Sequence, residues 1–113
     1  MTGVAVRRAA KVDANQATVV SALRAVGAFV VSLAALGAGV PDILVGHRGR
    51  WVLMEIKDPS QPPCKQRLKP EQEVFHKITA ERGLPCFVVT TPESAVEMLT
   101  GKPEEPSSRP GGP

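Results

Sequence analysis

Apolar residues near the start of the chain recur with helical spacing at Val19, Val20, Leu23 and Val26, and Gly27 ends the run. Just upstream, Asp13-Ala14-Asn15-Gln16 has the form of a capping box, so a helix is predicted to begin at Asp13. Gln16 shares the inward side of Val19 and Val20, either as the reciprocal partner in that cap or as a group facing a site. The period then changes. Ala28 to Val31, or a little further, reads as a strand, and a loop of small residues through Gly37 and Gly39 follows, where the backbone must bend tightly or be approached closely. Pro41 to Lys57 has two aliphatic flanks around His47-Arg48-Gly49-Arg50, the pattern of a β-hairpin. With Arg48 and Gly49 as the turn, Ile43 faces Met54, Val45 faces Val52 and Asp42 faces Glu55. Leu44, Leu53 and Trp51 share the face of the two acids. Both faces are largely apolar, as in an inner hairpin covered by helices on each side.

Beyond the hairpin, Pro70 is suited to the first turn of a second helix that carries Val74, Phe75 and Ile78 inward and ends near Arg82-Gly83. Pro85 to Thr90 is a short strand. Thr91-Pro92-Glu93 opens a last helix with Ala95, Val96, Met98 and Leu99 on its core face and Gly101 as its stop. The order α, three strands, α, β, α defines an α/β domain around a mixed sheet. Residues 1 to 12 form a basic arm with Arg7, Arg8 and Lys11, residues 13 to 100 the folded domain, and 101 to 113 a Pro- and Gly-rich tail expected to be disordered.

Length and charge narrow the choice of function. At 113 residues there is room for one domain and one core. The uncharged stretch from Ala25 to Val40 is shorter than the ~20 residues of a membrane span, and no secretion signal is apparent. Cys64 and Cys86 form neither a CxxC pair nor a disulfide framework. Cys64 reads as an exposed thiol and Cys86 as a small buried hydrophobe, which fits a reducing, cytoplasmic location. The net charge of +3 says little, but its distribution says more. Between Asp42 and Lys69 lie six Lys or Arg and three acids. Arg48, Arg50, Lys65, Arg67 and Lys69 are therefore candidate contacts to a phosphate backbone. Asp58 to Lys69, proline-rich and basic, reads either as a strand-guiding loop or as a solvated connector.

Candidate chemistry gathers at the open end of the hairpin. Facing carboxylates at Asp42 and Glu55 suit a hard divalent cation such as Mg²⁺ or Mn²⁺, and the carbonyl of Ile56 can add a third oxygen. Lys57 leaves the strand on the same side as Glu55, where an ammonium would orient water and stabilise charge developing on phosphorus. The competing explanation is a plain ion pair of Asp42 or Glu55 with Lys57 at the end of the sheet.

Gly39-Val40-Pro41-Asp42, then Glu55-Ile56-Lys57-Asp58, then Leu68-Lys69-Pro70-Glu71-Gln72 opening a helix, resemble the PD-(D/E)XK nuclease superfamily and its VRR-NUC branch of phage and bacterial proteins. The resemblance spans about residues 13 to 99. It implies an αβββαβ core, Mg²⁺- or Mn²⁺-dependent cleavage of DNA, structure-selective action on branched or junction DNA in replication or repair, and a homodimer related to Holliday junction resolvases. Carried over by position, Asp42 and Glu55 are metal ligands, Lys57 is the catalytic lysine and Gln72 supports the site from its helix. Two departures stand out. Gln16 occupies the place where the family often has a glutamate, which leaves an amide as the candidate further ligand. Lys69 replaces a Thr or Ser cap, at a cost of ~1 kcal/mol to the helix. The missing acid motivates the alternative of a non-catalytic nucleic-acid-binding module on the same fold.

Overall fold

The computed structural model describes residues 14–101. The basic arm, Asp13 with its predicted cap, and the Pro- and Gly-rich tail lie outside the described residues. The elements in chain order are α1 (Ala14–Ala25), β1 (Phe29–Ser32), β2 (Ile43–His47), β3 (Arg50–Ile56), α2 (Pro63–Gln66), α3 (Pro70–Glu81), β4 (Cys86–Val89) and α4 (Pro92–Thr100). The strands lie in the order β1-β2-β3-β4. The first three are antiparallel neighbours, and β4 joins β3 in parallel through the crossover that contains α3. This is the α/β architecture with a mixed central sheet that the hydrophobic pattern predicts.

The hairpin has the predicted register, with Ile43 opposite Met54, Val45 opposite Val52 and His47 opposite Arg50. Arg48 (φ 48°) and Gly49 (φ 82°) both take positive φ, as a two-residue turn matched to strand twist requires. One face of the hairpin is the core. Ile43, Val45, Val52 and Met54 are fully buried beneath α1 and α4, which contribute Val19, Leu23, Ala95 and Leu99. Thr91 caps α4 by accepting from the Ser94 amide at 3.1 Å, while Ser94 Oγ accepts from the Thr91 amide at 3.1 Å.

The opposite face departs from the prediction. It is covered only in part, because α3 packs against β4 at one edge and leaves Phe29 and Trp51 in solvent. The rotation of α3 also differs. Gln72, Phe75, His76 and Thr79 form its half-buried to buried stripe, whereas Val74 and Ile78, expected inside, are 57% and 42% exposed. The stripe keeps i, i+3, i+4, i+7 spacing but starts from a polar residue. Val26 is exposed as well, since α1 ends at Ala25 before a fourth inward turn. Cys86 is half-buried rather than buried, with Sγ 3.7 Å from Nδ1 of His76.

The segment from Asp58 to Lys69 contains the short helix α2, which the sequence pattern does not reveal. Asp58 Oδ1 accepts from the Ser60 amide (2.9 Å) and hydroxyl (2.7 Å), and Gln66 Nε2 donates to the carbonyls of Pro59 (3.2 Å) and Gln61 (2.7 Å). These local bonds fold the connector back on itself and leave Lys65, Arg67 and Lys69 exposed.

Candidate active site

The carboxylate end of the hairpin is built from four elements. Asp42 precedes β2, and its Oδ2 accepts from the amide of Ile56 at 2.7 Å, which fixes the carboxylate against the last residue of β3. Glu55 is paired with Val88 of β4 and is 3% exposed. Lys57 follows β3, still tied to the sheet by its amide, which donates to the Val89 carbonyl at 3.0 Å. Its own carbonyl, with that of Thr90, accepts from Nδ2 of Asn15 on α1, each at 3.2 Å. Asn15 thus pins the ends of two parallel strands, a positioning role that no spacing signal marks in the sequence. Its neighbour Gln16 is buried on the inner side of α1 with Val19 and Leu23, the inward direction expected of it.

Gln72 joins these parts. Its Oε1 accepts from Lys57 Nζ (3.3 Å) and from the Lys69 amide (2.8 Å), and its Nε2 donates to Oε2 of Glu55 (3.0 Å). Both partners of Oε1 are obligate donors, so the orientation of the amide is unambiguous. The Lys69–Gln72 bond is half of a capping box: lysine has no acceptor to return, but the glutamine satisfies the cap amide. Gly39 makes this arrangement possible. At φ 81° it lies under the start of α3, and a Cβ there would collide with the carbonyl oxygen of Glu71. The glycine before the hairpin is needed for close approach of the helix that delivers Gln72.

Electrostatically the site is underfilled with positive charge. Lys57 Nζ is 3.7 Å from Oε2 of Glu55 and its side chain is 11% exposed, so the ion pair of the competing explanation does form. It engages one oxygen only: Oε1 of Glu55 is buried with no hydrogen-bond partner. Burial, then the charge of Asp42, raise the Glu55 carboxyl to about 7 against the opposing pull of Lys57. An orphaned, buried oxygen beside a second carboxylate is costly unless a proton shared with Asp42, or a cation in its place, meets it. All available donors are oxygens, which matches Mg²⁺ or Mn²⁺ rather than a softer metal. Among the described residues no group of three or more His, Cys, Asp and Glu side chains could hold a metal, so the acidic set is Asp42 and Glu55 alone.

The predicted basic surround divides in two. Lys69 adjoins the site through Gln72, and Lys65 and Arg67 lie on the connector that leads to it. Arg48 and Arg50, although between the two acids in sequence, are carried by the hairpin to its far end, roughly 20 Å away. There they line a cleft of about 430 Å³ with Val26, His47, Leu99 and Thr100. The structure does not bring them to the carboxylates.

A four-stranded mixed sheet with two acids and a lysine at the end of its central hairpin defines a restriction-endonuclease-like α/β class. Among solved structures the chain is similar to one described as "VRR_NUC domain", at 27% identity and a TM-score of 0.55, over 75% of this chain and 89% of that one. The fold is VRR-NUC nuclease-like. No protein-family model matches the sequence, and no curated protein matches it.

Proposed function

We propose that the domain is a metal-dependent DNA endonuclease that hydrolyses phosphodiester bonds at the Asp42, Glu55 and Lys57 cluster. The observation that carries this reading is the buried, unpartnered Oε1 of Glu55 beside Asp42. The two carboxylates would hold Mg²⁺ or Mn²⁺, with the Ile56 carbonyl as a third oxygen and Gln16 as the candidate for a further one. Bound there, the ion would supply Lewis-acid polarisation of the phosphate. Lys57 orients the attacking water and offsets negative charge on the phosphoryl oxygens as the new P–O bond forms and the old one breaks. Gln72 holds Lys57 and Glu55 in register, and Asp42 is held by the Ile56 amide. Lys65, Arg67 and Lys69 would track the phosphate backbone towards the site.

The described residues of one chain carry one such cluster, so paired incisions on a symmetric junction would need a homodimer; light scattering at several concentrations tests for it. Branched or junction DNA is the proposed substrate, in cytoplasmic DNA processing of bacteria or their phages. Cleavage of branched, flapped and linear DNA with Mg²⁺ or Mn²⁺ is expected for the wild type and is expected to fall by orders of magnitude in Asp42→Asn and Lys57→Ala. Equal activity in all three proteins would sink the proposal. The amide at Gln16 favours the alternative of a non-catalytic binding module, which predicts salt-sensitive DNA binding and no heat of Mn²⁺ binding in calorimetry.

A further inference from the structure

Phe29, Gly46 and Trp51 occupy one row across β1, β2 and β3. The row lies on the face that carries Glu55, because positions 51, 53 and 55 of β3 point the same way. Phe29 is 62% and Trp51 53% exposed, and their rings meet edge to face with centroids 6.0 Å apart. Gly46 makes room for this: a Cβ there would stand 2.9 Å from Cζ3 of Trp51, so the indole lies across the strand beneath it. Such a pair stabilises a sheet, yet here two large rings remain in water on the one face that α3 leaves uncovered.

We propose that Phe29 and Trp51 form a stacking platform for unpaired nucleobases, which seats a single-stranded segment of nucleic acid whose backbone runs on to Asp42 and Glu55. Half-buried Leu44 and Leu53 floor the path between platform and carboxylates. Trp51 to Glu55 spans roughly 13 Å of strand, the rise of about four stacked nucleotides. Arg50 has the parity of Val52 and Met54 and, with Arg48, lines the cleft beside Val26 and Leu99 on the opposite face, so the cation on the platform's own face is Lys57, and no acid lies between Asp42 and Glu55. That lysine gives a polyanion a cation to meet at the end of the path, while the flat aromatic surface suits bases of any sequence.

The inference rests on the nuclease reading of the site, and its test needs no cleavage. Trp51 is the only tryptophan and the chain has no tyrosine, so indole fluorescence reports this position alone. In EDTA, the full chain is titrated with a thymidine homopolymer, an abasic strand of equal length and a blunt duplex. Quenching by the homopolymer, and little by the other two, is expected. With binding of the variants, which lack the indole, followed by the anisotropy of a fluorescein-labelled strand, Trp51→Ala is expected to weaken homopolymer binding about tenfold with duplex binding changed less than twofold, and Trp51→Phe to recover most of the loss. Equal quenching by the abasic strand, or unchanged homopolymer affinity in Trp51→Ala, would overturn the platform. So would a blue shift of Trp51 emission with protein concentration in the absence of DNA, which would make the face a contact between copies. Any of these results alongside metal-dependent cleavage that Asp42→Asn abolishes would leave the nuclease reading standing without the platform. A working platform without cleavage would point to the binding module.

Discussion

The two faces of the β2–β3 hairpin come from the same few residues and do opposite work. Ile43, Val45, Val52 and Met54 are sealed beneath α1 and α4, whereas Glu55, Leu53, Trp51 and their neighbours face a surface that α3 covers at one edge. Period-two alternation makes this possible: every second side chain contributes to stability, and the residues between are free to carry chemistry. Because the strands are rigid, the carboxylates inherit the precision of the core behind them. Stability and activity should therefore separate by the parity of the residue mutated.

The largest effect belongs to the core face. Met54→Ala removes a fully buried side chain and should cost about 2–5 kcal/mol, lowering the melting temperature by about 10 °C or more. A smaller loss in thermal denaturation would mean that the core is not the seal inferred here. Glu55→Gln, one residue along and on the other face, should do the reverse in the absence of metal. The Glu55 carboxyl is raised from 4.5 to about 7 in the folded chain, so between those values the folded state holds the extra proton. Stability of the wild type then falls as pH rises through that window, by on the order of 1–3 kcal/mol. In EDTA at pH 8 the glutamine variant should be the more stable protein and should lack the fall in stability across that window; denaturant titrations at several pH values check the sign. Mg²⁺ should restore wild-type stability and leave the variant unchanged.

Gly39→Ala tests the junction between the faces. It sets a Cβ against the Glu71 backbone at a positive φ, so it should cost about 1–3 kcal/mol and, by moving α3, reduce cleavage as well. Gln72→Ala should reduce cleavage or Mn²⁺ affinity about 10- to 100-fold, while its loss of stability should stay near the ~1 kcal/mol of a lost helix-cap bond. A matched loss of stability would make Gln72 structural. Least affected should be Val74→Ser, at an exposed position of α3, with a change within about 0.5 kcal/mol.

Most of this organisation is written locally. The order of elements, the hairpin register, the turn at Arg48-Gly49 and the caps at Thr91 and Gly101 depend on neighbours in sequence, whose preferences are short-range. Asp42, Glu55 and Lys57 could be placed together for the same reason: strand pairing across a two-residue turn leaves no choice of partner once the register is set. Gln72 could be marked by motif, but not its three hydrogen bonds, which depend on how closely α3 approaches Gly39.

What tertiary structure alone decided concerns orientation and distance between elements. The rotation of α3 exposes Val74 and Ile78 and turns Gln72, Phe75 and His76 to the sheet, because the site's polar bonds, and not apolar periodicity, dock its first turn. The tie from Asn15 to the ends of β3 and β4 joins residues far apart in the chain, which no local pattern encodes. The removal of Arg48 and Arg50 from the carboxylates, and the exposure of Phe29 and Trp51 beside them, follow from the length of a hairpin and the limited reach of one covering helix. A sequence sets which residues alternate along a strand; only packing determines which of the two faces is left open to solvent.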